Sequence, residues 1–126
     1  MKNFIPKPAK AQHLLTGESA EEQAYRYLID QGLKPVARNY RCQLGELDLI
    51  MKDNNTLAVI EVRYRRSDKY GSALESVTSR KQSRIIAATQ MYLAQHKTSC
   101  PIRFDVVAIT ADQRIDWIKN AFITRF

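Results

Sequence analysis

Two acidic side chains on neighbouring predicted strands, Asp48 and Glu61, are the ones most able to do chemistry. The dipeptide Asn54-Asn55 lies between two apolar runs and predicts a two-residue hairpin turn, because asparagine tolerates a positive φ. That turn sets the register of the two strands, so Asp48 is expected to face Glu61 and Glu46 to face Arg63. All four side chains then share one face of the sheet.

Directly opposed carboxylates repel each other, since their Cβ atoms lie about 5 Å apart in a sheet. A bound divalent cation, a shared proton or neighbouring basic groups could each offset that repulsion. Two carboxylates completed by waters and a substrate phosphate are a usual way to hold Mg²⁺. Such a metal could activate water and neutralise charge that develops at a phosphodiester. In the plainer interpretation, Asp48 and Glu61 are solvated or paired with Arg63 and Arg65, and the sequence leaves both interpretations open.

A dense group of cations extends from Arg63 to Arg84, with Tyr64 and Tyr70 interleaved. The pattern is typical of a surface that contacts the phosphate backbone and offers rings for stacking on bases. Some of these cations fall where the second predicted helix begins, a position that the helix dipole disfavours for positive charge. A solvated face would look similar, but the nearby carboxylates favour nucleic acid. The predicted nucleic-acid-binding residues are Arg63, Arg65, Arg66, Lys69, Arg80, Lys81 and Arg84.

Hydrophobic periodicity and turn residues predict the elements that position these side chains. The expected helices cover residues 16–31 and 78–96, and the expected strands cover residues 35–42, 46–52, 57–65, 103–110 and 114–119. This order predicts a single mixed α/β layer structure. Residues 1–12 are expected to form a flexible basic arm, and residues 13–126 a single domain.

Composition limits the classes of function that the chain can have. Its 126 residues fit one domain, and 44% apolar residues exclude a largely disordered chain. The net charge of +7 suits a polyanionic partner. Cys42 and Cys100 match no metal or redox spacing and predict reduced thiols in a cytoplasmic protein. The sequence contains no phosphate-cradling glycine loop, no hydrolase nucleophile elbow and no apolar run long enough to span a bilayer.

Several short motifs occur in a characteristic order along the chain. They are Gly17-Glu18, Arg38-Asn39-Tyr40, residues 45–50, residues 60–63, Lys81-Gln82 and residues 103–107. Together these motifs resemble the bacterial YraN family, which is similar to archaeal Holliday-junction resolvases. The resemblance extends over residues 17–117 and implies a restriction-endonuclease-like α/β fold, with a mixed central β-sheet flanked by helices. It also implies a nuclease site of the PD-(D/E)XK type.

Carried onto this sequence, the resemblance makes Asp48 and Glu61 ligands of Mg²⁺ or Mn²⁺, with Glu18 as an additional carboxylate on the first helix. The lysine of the pattern falls on Arg63, whose guanidinium can clamp phosphate but is a poor base because it stays protonated. The resemblance therefore implies Glu18, Asp48, Glu61 and Arg63 as catalytic residues. The implied activity is that of a metal-dependent endonuclease acting on DNA, branched or otherwise structured.

Arginine at the lysine position leaves a second function open. A nucleic-acid-binding protein could keep the nuclease-like fold and lose turnover, and Arg63 favours this alternative. The joint presence of Glu18, Asp48 and Glu61 favours cleavage instead. A membrane-surface adaptor is less favoured, because no predicted helix clearly exposes a face of large apolar residues. Resolvase-like nucleases act as dimers on two strands, so the resemblance also implies a homodimer.

Overall fold

A computed structural model of the protein describes residues 17–66 and 72–123, with side chains from Ala20 onward. The described residues form two helices and five strands. Their bounds are α1 Gly17–Asp30, β1 Lys34–Cys42, β2 Gly45–Asp53, β3 Thr56–Arg65, α2 Ser79–His96, β4 Ile102–Thr110 and β5 Ile115–Phe122. The arm expected at residues 1–12 and the residue Lys69 lie outside the described residues.

The five strands form one sheet in the order β1-β2-β3-β4-β5. The first three strands are an antiparallel meander, β3 and β4 are parallel, and β5 returns antiparallel to β4. A parallel pair needs a long crossover between its strands, and here α2 provides it. The predicted mixed α/β sheet flanked by helices is therefore confirmed.

The helices cover opposite faces of this sheet. Helix α1 packs through Ala20, Ala24 and Leu28, which recur at helical spacing and are fully buried against one face. Helix α2 packs through Ile85, Ala88 and Tyr92 on the other face. Both faces of the sheet are thus covered, which is why the central strands are apolar along most of their length.

The predicted hairpin between β2 and β3 forms, and its register is the expected one. Asn54 adopts a positive φ of 55°, and the paired residues run from Asp53–Thr56 to Leu49–Ile60. Beyond that point β2 stays paired with β1 only, within the part of the chain that the structure describes. Glu46 lies beyond the last β2–β3 pair and has Arg41 of β1 as its partner, so the prediction that it faces Arg63 was wrong.

The side-chain alternation of β2 changes close to the point where its pairing with β3 ends. Leu47 and Ile50 both pack in the core beneath α2, whereas Leu49 packs beneath α1. Strict alternation would place Leu47 and Leu49 on the same face. The side-chain alternation of β2 therefore breaks between Leu47 and Leu49, while its register with β1 is the same on both sides of Asp48. The carboxylate of Asp48 lies at the point where β2 separates from β3.

The start of α2 is defined by a side-chain cap. The Oγ1 atom of Thr78 accepts a hydrogen bond of 3.2 Å from the backbone amide of Lys81. No acidic residue lies in the first turn of α2, which instead carries Arg80 and Lys81.

No helix in the described residues is long and apolar enough to cross a membrane. Both cysteines predicted to be reduced, Cys42 and Cys100, are free.

Candidate active site

The carboxyl groups of Asp48 and Glu61 come together where β2 separates from β3. Asp48 Oδ2 accepts a hydrogen bond of 2.9 Å from the backbone amide of Val62, which holds the aspartate across the gap between the strands. Glu61 points toward α2 and is only 6% exposed.

Burial raises the pKa of both carboxyl groups, because desolvation disfavours the charged form. For Glu61, burial and the negative charge of Asp48 raise the pKa to about 7, against the opposing effect of Lys81 and Arg63. For Asp48, the hydrogen bonds from Val62 and Glu61 and the charge of Lys81 lower the pKa, but burial outweighs them. The nearby cations therefore compensate the pair only in part.

Two cations reach the same oxygen of Glu61 from different elements. The Nζ atom of Lys81 in α2 lies 3.1 Å from Glu61 Oε2, and Nη1 of Arg63 lies 3.5 Å from it. Arg63 also donates a 3.0 Å hydrogen bond from Nε to the hydroxyl of Ser76, which in turn donates to the carbonyl of Ala73. The guanidinium of Arg63 is thus held at both ends, by Ser76 and by Glu61, and in this position it orients Glu61.

The carboxyl pair opens into a pocket of about 380 Å³ between β2, β3 and the start of α2. Its lining combines acidic groups from the sheet with cations from the helix. The lining residues are Glu46, Asp48, Glu61, Thr78, Arg80, Lys81, Arg84 and Ile85. An anionic ligand can therefore contact three cations at the place where a metal would contact two carboxylates.

The structure describes six of the seven predicted nucleic-acid-binding residues, all but Lys69, and divides them into two groups. Arg80, Lys81 and Arg84 line the pocket, and Arg63 lies beside it on Glu61. Arg65 donates a 3.0 Å hydrogen bond to the carbonyl of Ser72, and Arg66 is exposed. The plainer interpretation of the sequence, pairing of the carboxylates with Arg63 and Arg65, is thus met for Arg63 at Glu61, and Lys81 makes the closer ion pair.

Glu18, the third predicted carboxylate, lies in α1, and its side chain is outside the described residues. Helix α1 packs on the sheet face opposite α2. Within residues 17–66 and 72–123, no group of three or more His, Cys, Asp or Glu is placed to hold a metal. Of the three carboxylates that line the described pocket, Glu46, Asp48 and Glu61, only the last two were predicted as metal ligands, and that role stays a prediction.

Sequence reasoning missed Thr78 in this pocket and gave Glu46, which it placed on the same face as Asp48 and Glu61, the wrong neighbour. Glu46 was expected beside Arg63, but it lies at the rim of the pocket with its carboxylate 3.7 Å from Arg41. Thr78 both caps α2 and lines the pocket. A threonine directly before a helical run is a recognisable cap signal, whereas nothing in the sequence indicates that Glu46 lies beside Arg41.

A second group of charges, around Asp105, has a structural role. Asp105 is fully buried and accepts two 2.9 Å hydrogen bonds from Arg103, with which it forms an ion pair. The indole of Trp117 and the backbone amide of Asn120 also donate to Asp105. The carboxylate therefore has partners from β4 and β5 on both oxygens, and it ties these two strands together.

Comparison with known proteins gives a consistent family assignment. Residues 20–109 match the model of "Uncharacterised protein family UPF0102". A UPF0102 protein of Saccharophagus degradans is 51% identical over 114 residues, covering 89% of this chain and 96% of the relative. The UPF0102 protein of Nitrosococcus oceani is 49% identical, covering 89% of this chain and 94% of the relative. That of Aeromonas hydrophila is 47% identical, covering 95% of this chain and 90% of the relative. The chain therefore belongs to the UPF0102 family, the YraN family that its motifs resemble.

Proposed function

We propose that this protein is an endonuclease that cleaves DNA, branched or otherwise structured, with the help of Mg²⁺ or Mn²⁺. One observation carries the proposal: Asp48 and Glu61 share a pocket with Arg80, Lys81 and Arg84. Carboxylates that hold a cation and cations that hold phosphate are both needed to hydrolyse a phosphodiester, and here they line the same cavity. The resemblance to restriction-endonuclease-like nucleases supports the same activity.

The donor set fits a hard divalent cation. Both carboxylates supply hard oxygen ligands, and the pocket leaves room for water and phosphate. Burial raises the pKa of both carboxyl groups, and the charge of Asp48 also raises that of Glu61, so the fully ionised pair is disfavoured without a further counter-charge, which a divalent cation would supply. Asp48 and Glu61 would hold the ion. When bound, it would activate a water molecule and neutralise charge that develops on the phosphodiester.

The chain's own residues then have separable tasks. Arg80 and Arg84 line the pocket as phosphate contacts, one on either side of Lys81 in the sequence. The amide of Val62 orients Asp48, and Arg63, fixed by Ser76, orients Glu61. Arg63 stays protonated near neutral pH, so its task is orientation and charge stabilisation and not proton transfer.

A second candidate function, nucleic-acid binding without turnover, is favoured by the state of Glu61. Both Lys81 and Arg63 already contact its Oε2 atom. A carboxylate neutralised by two cations has less need of a metal. In this case the pocket would bind DNA through its cations, and the acidic pair would be a remnant of a nuclease site.

Single-turnover cleavage of a labelled four-way junction and of a sequence-matched linear duplex separates the two functions. The reactions contain Mg²⁺, Mn²⁺ or EDTA, and the Asp48→Asn protein is the control for contaminating nuclease. Metal-dependent cleavage that Asp48→Asn abolishes would support the endonuclease. Tight binding of the junction without any cleavage by the wild-type protein would support the second function and refute the first.

A further inference from the structure

We infer that Lys81 is a tethered counter-cation of the carboxylate pair, which a divalent metal displaces from Glu61 and which then contacts the phosphate of bound DNA. The inference rests on the proposed function and adds an exchange of partners within the same site. In the structure, the ammonium of Lys81 lies 3.1 Å from Glu61 Oε2. An ammonium and a divalent metal would compete for that oxygen, because both are attracted to the same negative charge.

The two cations on Glu61 differ in how firmly they are held. The guanidinium of Arg63 is anchored by the hydrogen bond from its Nε to Ser76 and lies mostly out of solvent. The side chain of Lys81 is 44% exposed, and its ion pair with Glu61 is the only contact that the described structure gives its ammonium. Lysine is also a point charge on a flexible stem, so it can reorient without breaking a planar hydrogen-bond pattern.

The base of the Lys81 side chain is fixed by the helix cap, whereas its ammonium is partly exposed to solvent. The backbone amide of Lys81 donates to the Thr78 cap, so the first turn of α2 does not need to move. From there the ammonium can move between Glu61 and the rest of the pocket, whose lining also includes Arg80 and Arg84. Metal binding at the carboxylates would thus release a third cation for phosphate. By linkage, bound DNA would strengthen metal binding in return.

Calorimetric titration of Mn²⁺ into the full-length protein at pH 8 tests the first half of the exchange. We expect Lys81→Met to bind Mn²⁺ on the order of fivefold more tightly than the wild type, the upper range for removing a half-exposed ion pair. Lys81→Arg keeps the charge and should bind Mn²⁺ like the wild type. The matched control is Arg84→Met, which removes one pocket cation with no contact to Glu61 recorded in the structure, and it should change Mn²⁺ affinity less.

The second half of the exchange is tested by single-turnover cleavage of the junction at saturating Mn²⁺. Lys81→Met should cleave at least tenfold more slowly although it binds the metal more tightly. Damage to the fold would weaken metal binding and slow cleavage together. Tighter metal binding combined with slower cleavage therefore identifies the exchange. If the wild-type protein does not cleave, junction affinity in saturating Mn²⁺ replaces the cleavage rate and should fall in Lys81→Met.

The outcomes separate this inference from the proposed function. Mn²⁺ binding by the wild type that Lys81→Met leaves unchanged or weakens would overturn the inference alone. Binding by Lys81→Met but not by the wild type would support it, since Lys81 then closes the carboxylate pair to metal. Failure of every variant to bind Mn²⁺, with or without DNA, would overturn both the inference and the metal-dependent nuclease.

Discussion

Gly45 at the start of β2 packs directly against the backbone of Arg84 in α2. A Cβ atom built on Gly45 would lie 2.9 Å from the carbonyl oxygen of Arg84, closer than real contacts allow. The absence of a side chain at this position therefore lets the helix with the pocket cations approach the strand that carries Asp48. The two halves of the candidate site, acidic strand and basic helix, meet through this backbone contact.

Gly45→Ala should therefore weaken the protein and its site together. Because the obstructing atoms belong to the backbone, α2 or β2 must shift, and overpacking of this kind costs about 1–3 kcal/mol. We expect a lower free energy of unfolding in urea and weaker DNA binding. Gly32→Ala is a control, because a Cβ there meets nothing within 4 Å, although its φ of 98° carries a strain of its own. Wild-type DNA affinity in Gly45→Ala would contradict the role of this contact.

Asp48→Asn should abolish cleavage and stabilise the metal-free protein. Asparagine retains an oxygen that can accept the hydrogen bond of the Val62 amide, so the strand geometry is kept. The substitution removes one of two mutually repelling buried charges. In EDTA at pH 8 we expect the free energy of unfolding to rise by on the order of 1 kcal/mol. Equal or lower stability, measured by urea denaturation, would show that the repulsion is offset in the folded state.

The raised pKa of Glu61 predicts a falling stability of the metal-free protein between about pH 5 and pH 8. A carboxyl whose pKa is about 7 when folded and near 4.5 when unfolded binds more protons in the folded state over this range. The stability of the protein therefore decreases as pH rises. The stabilisation by Glu61 is fully present below its unfolded pKa and is lost as pH rises through its folded pKa. The loss is on the order of 2 kcal/mol. Glu61→Gln in EDTA should flatten this dependence, and an unchanged slope would contradict the assignment to Glu61.

Replacing the pocket cations should change the salt dependence of DNA binding. Each phosphate contact releases counterions, so Arg80→Ala and Arg84→Ala should each weaken binding and reduce the slope of log affinity against log salt by about one. The matched control is Arg26→Ala on α1, which removes the same charge from an exposed pair with Glu22. Fluorescence anisotropy with a junction, measured from about 50 to 300 mM salt, gives the slopes. Counterion release is measurable over this range of salt concentration. Equal slopes in all proteins would refute the pocket as the DNA surface.

Arg63 has a distinguishable positioning role through Ser76. Arg63→Ala should lower cleavage strongly, because Glu61 loses one ion-pair partner and the turn at Ser76 loses its contact. Ser76→Ala keeps the guanidinium and removes only its anchor, so it should lower cleavage less. Arg63→Lys restores the residue expected by the nuclease pattern and should retain cleavage. The test is the cleavage rate of each protein across about pH 6–9, a range that brackets the raised pKa of Glu61. Full activity of Arg63→Ala would refute the positioning role of Arg63.

Local sequence patterns determined the element order and the pairing of the central hairpin. Turn chemistry at Asn54 sets which residues of β2 and β3 lie opposite each other, so the proximity of Asp48 and Glu61 followed from a few neighbouring residues. Helical spacing likewise identified the buried faces around Ala24 and Ile85, because each period is a property of one element. The ion pair of Arg103 and Asp105 is local in the same sense.

Only the tertiary structure decided how the site is completed. Lys81 reaches Glu61 because the crossover helix packs at a particular depth and rotation on the sheet, and those depend on contacts such as Gly45 with Arg84 that no local pattern encodes. Pairing of β2 with β3 ends at Leu49–Ile60, so Glu46 lies beyond it, beside Arg41 and not Arg63. Leu47 and Ile50 enter the same core although alternation predicts opposite faces, because alternation is a property of one strand whereas the core that a side chain enters depends on the helix packed over it.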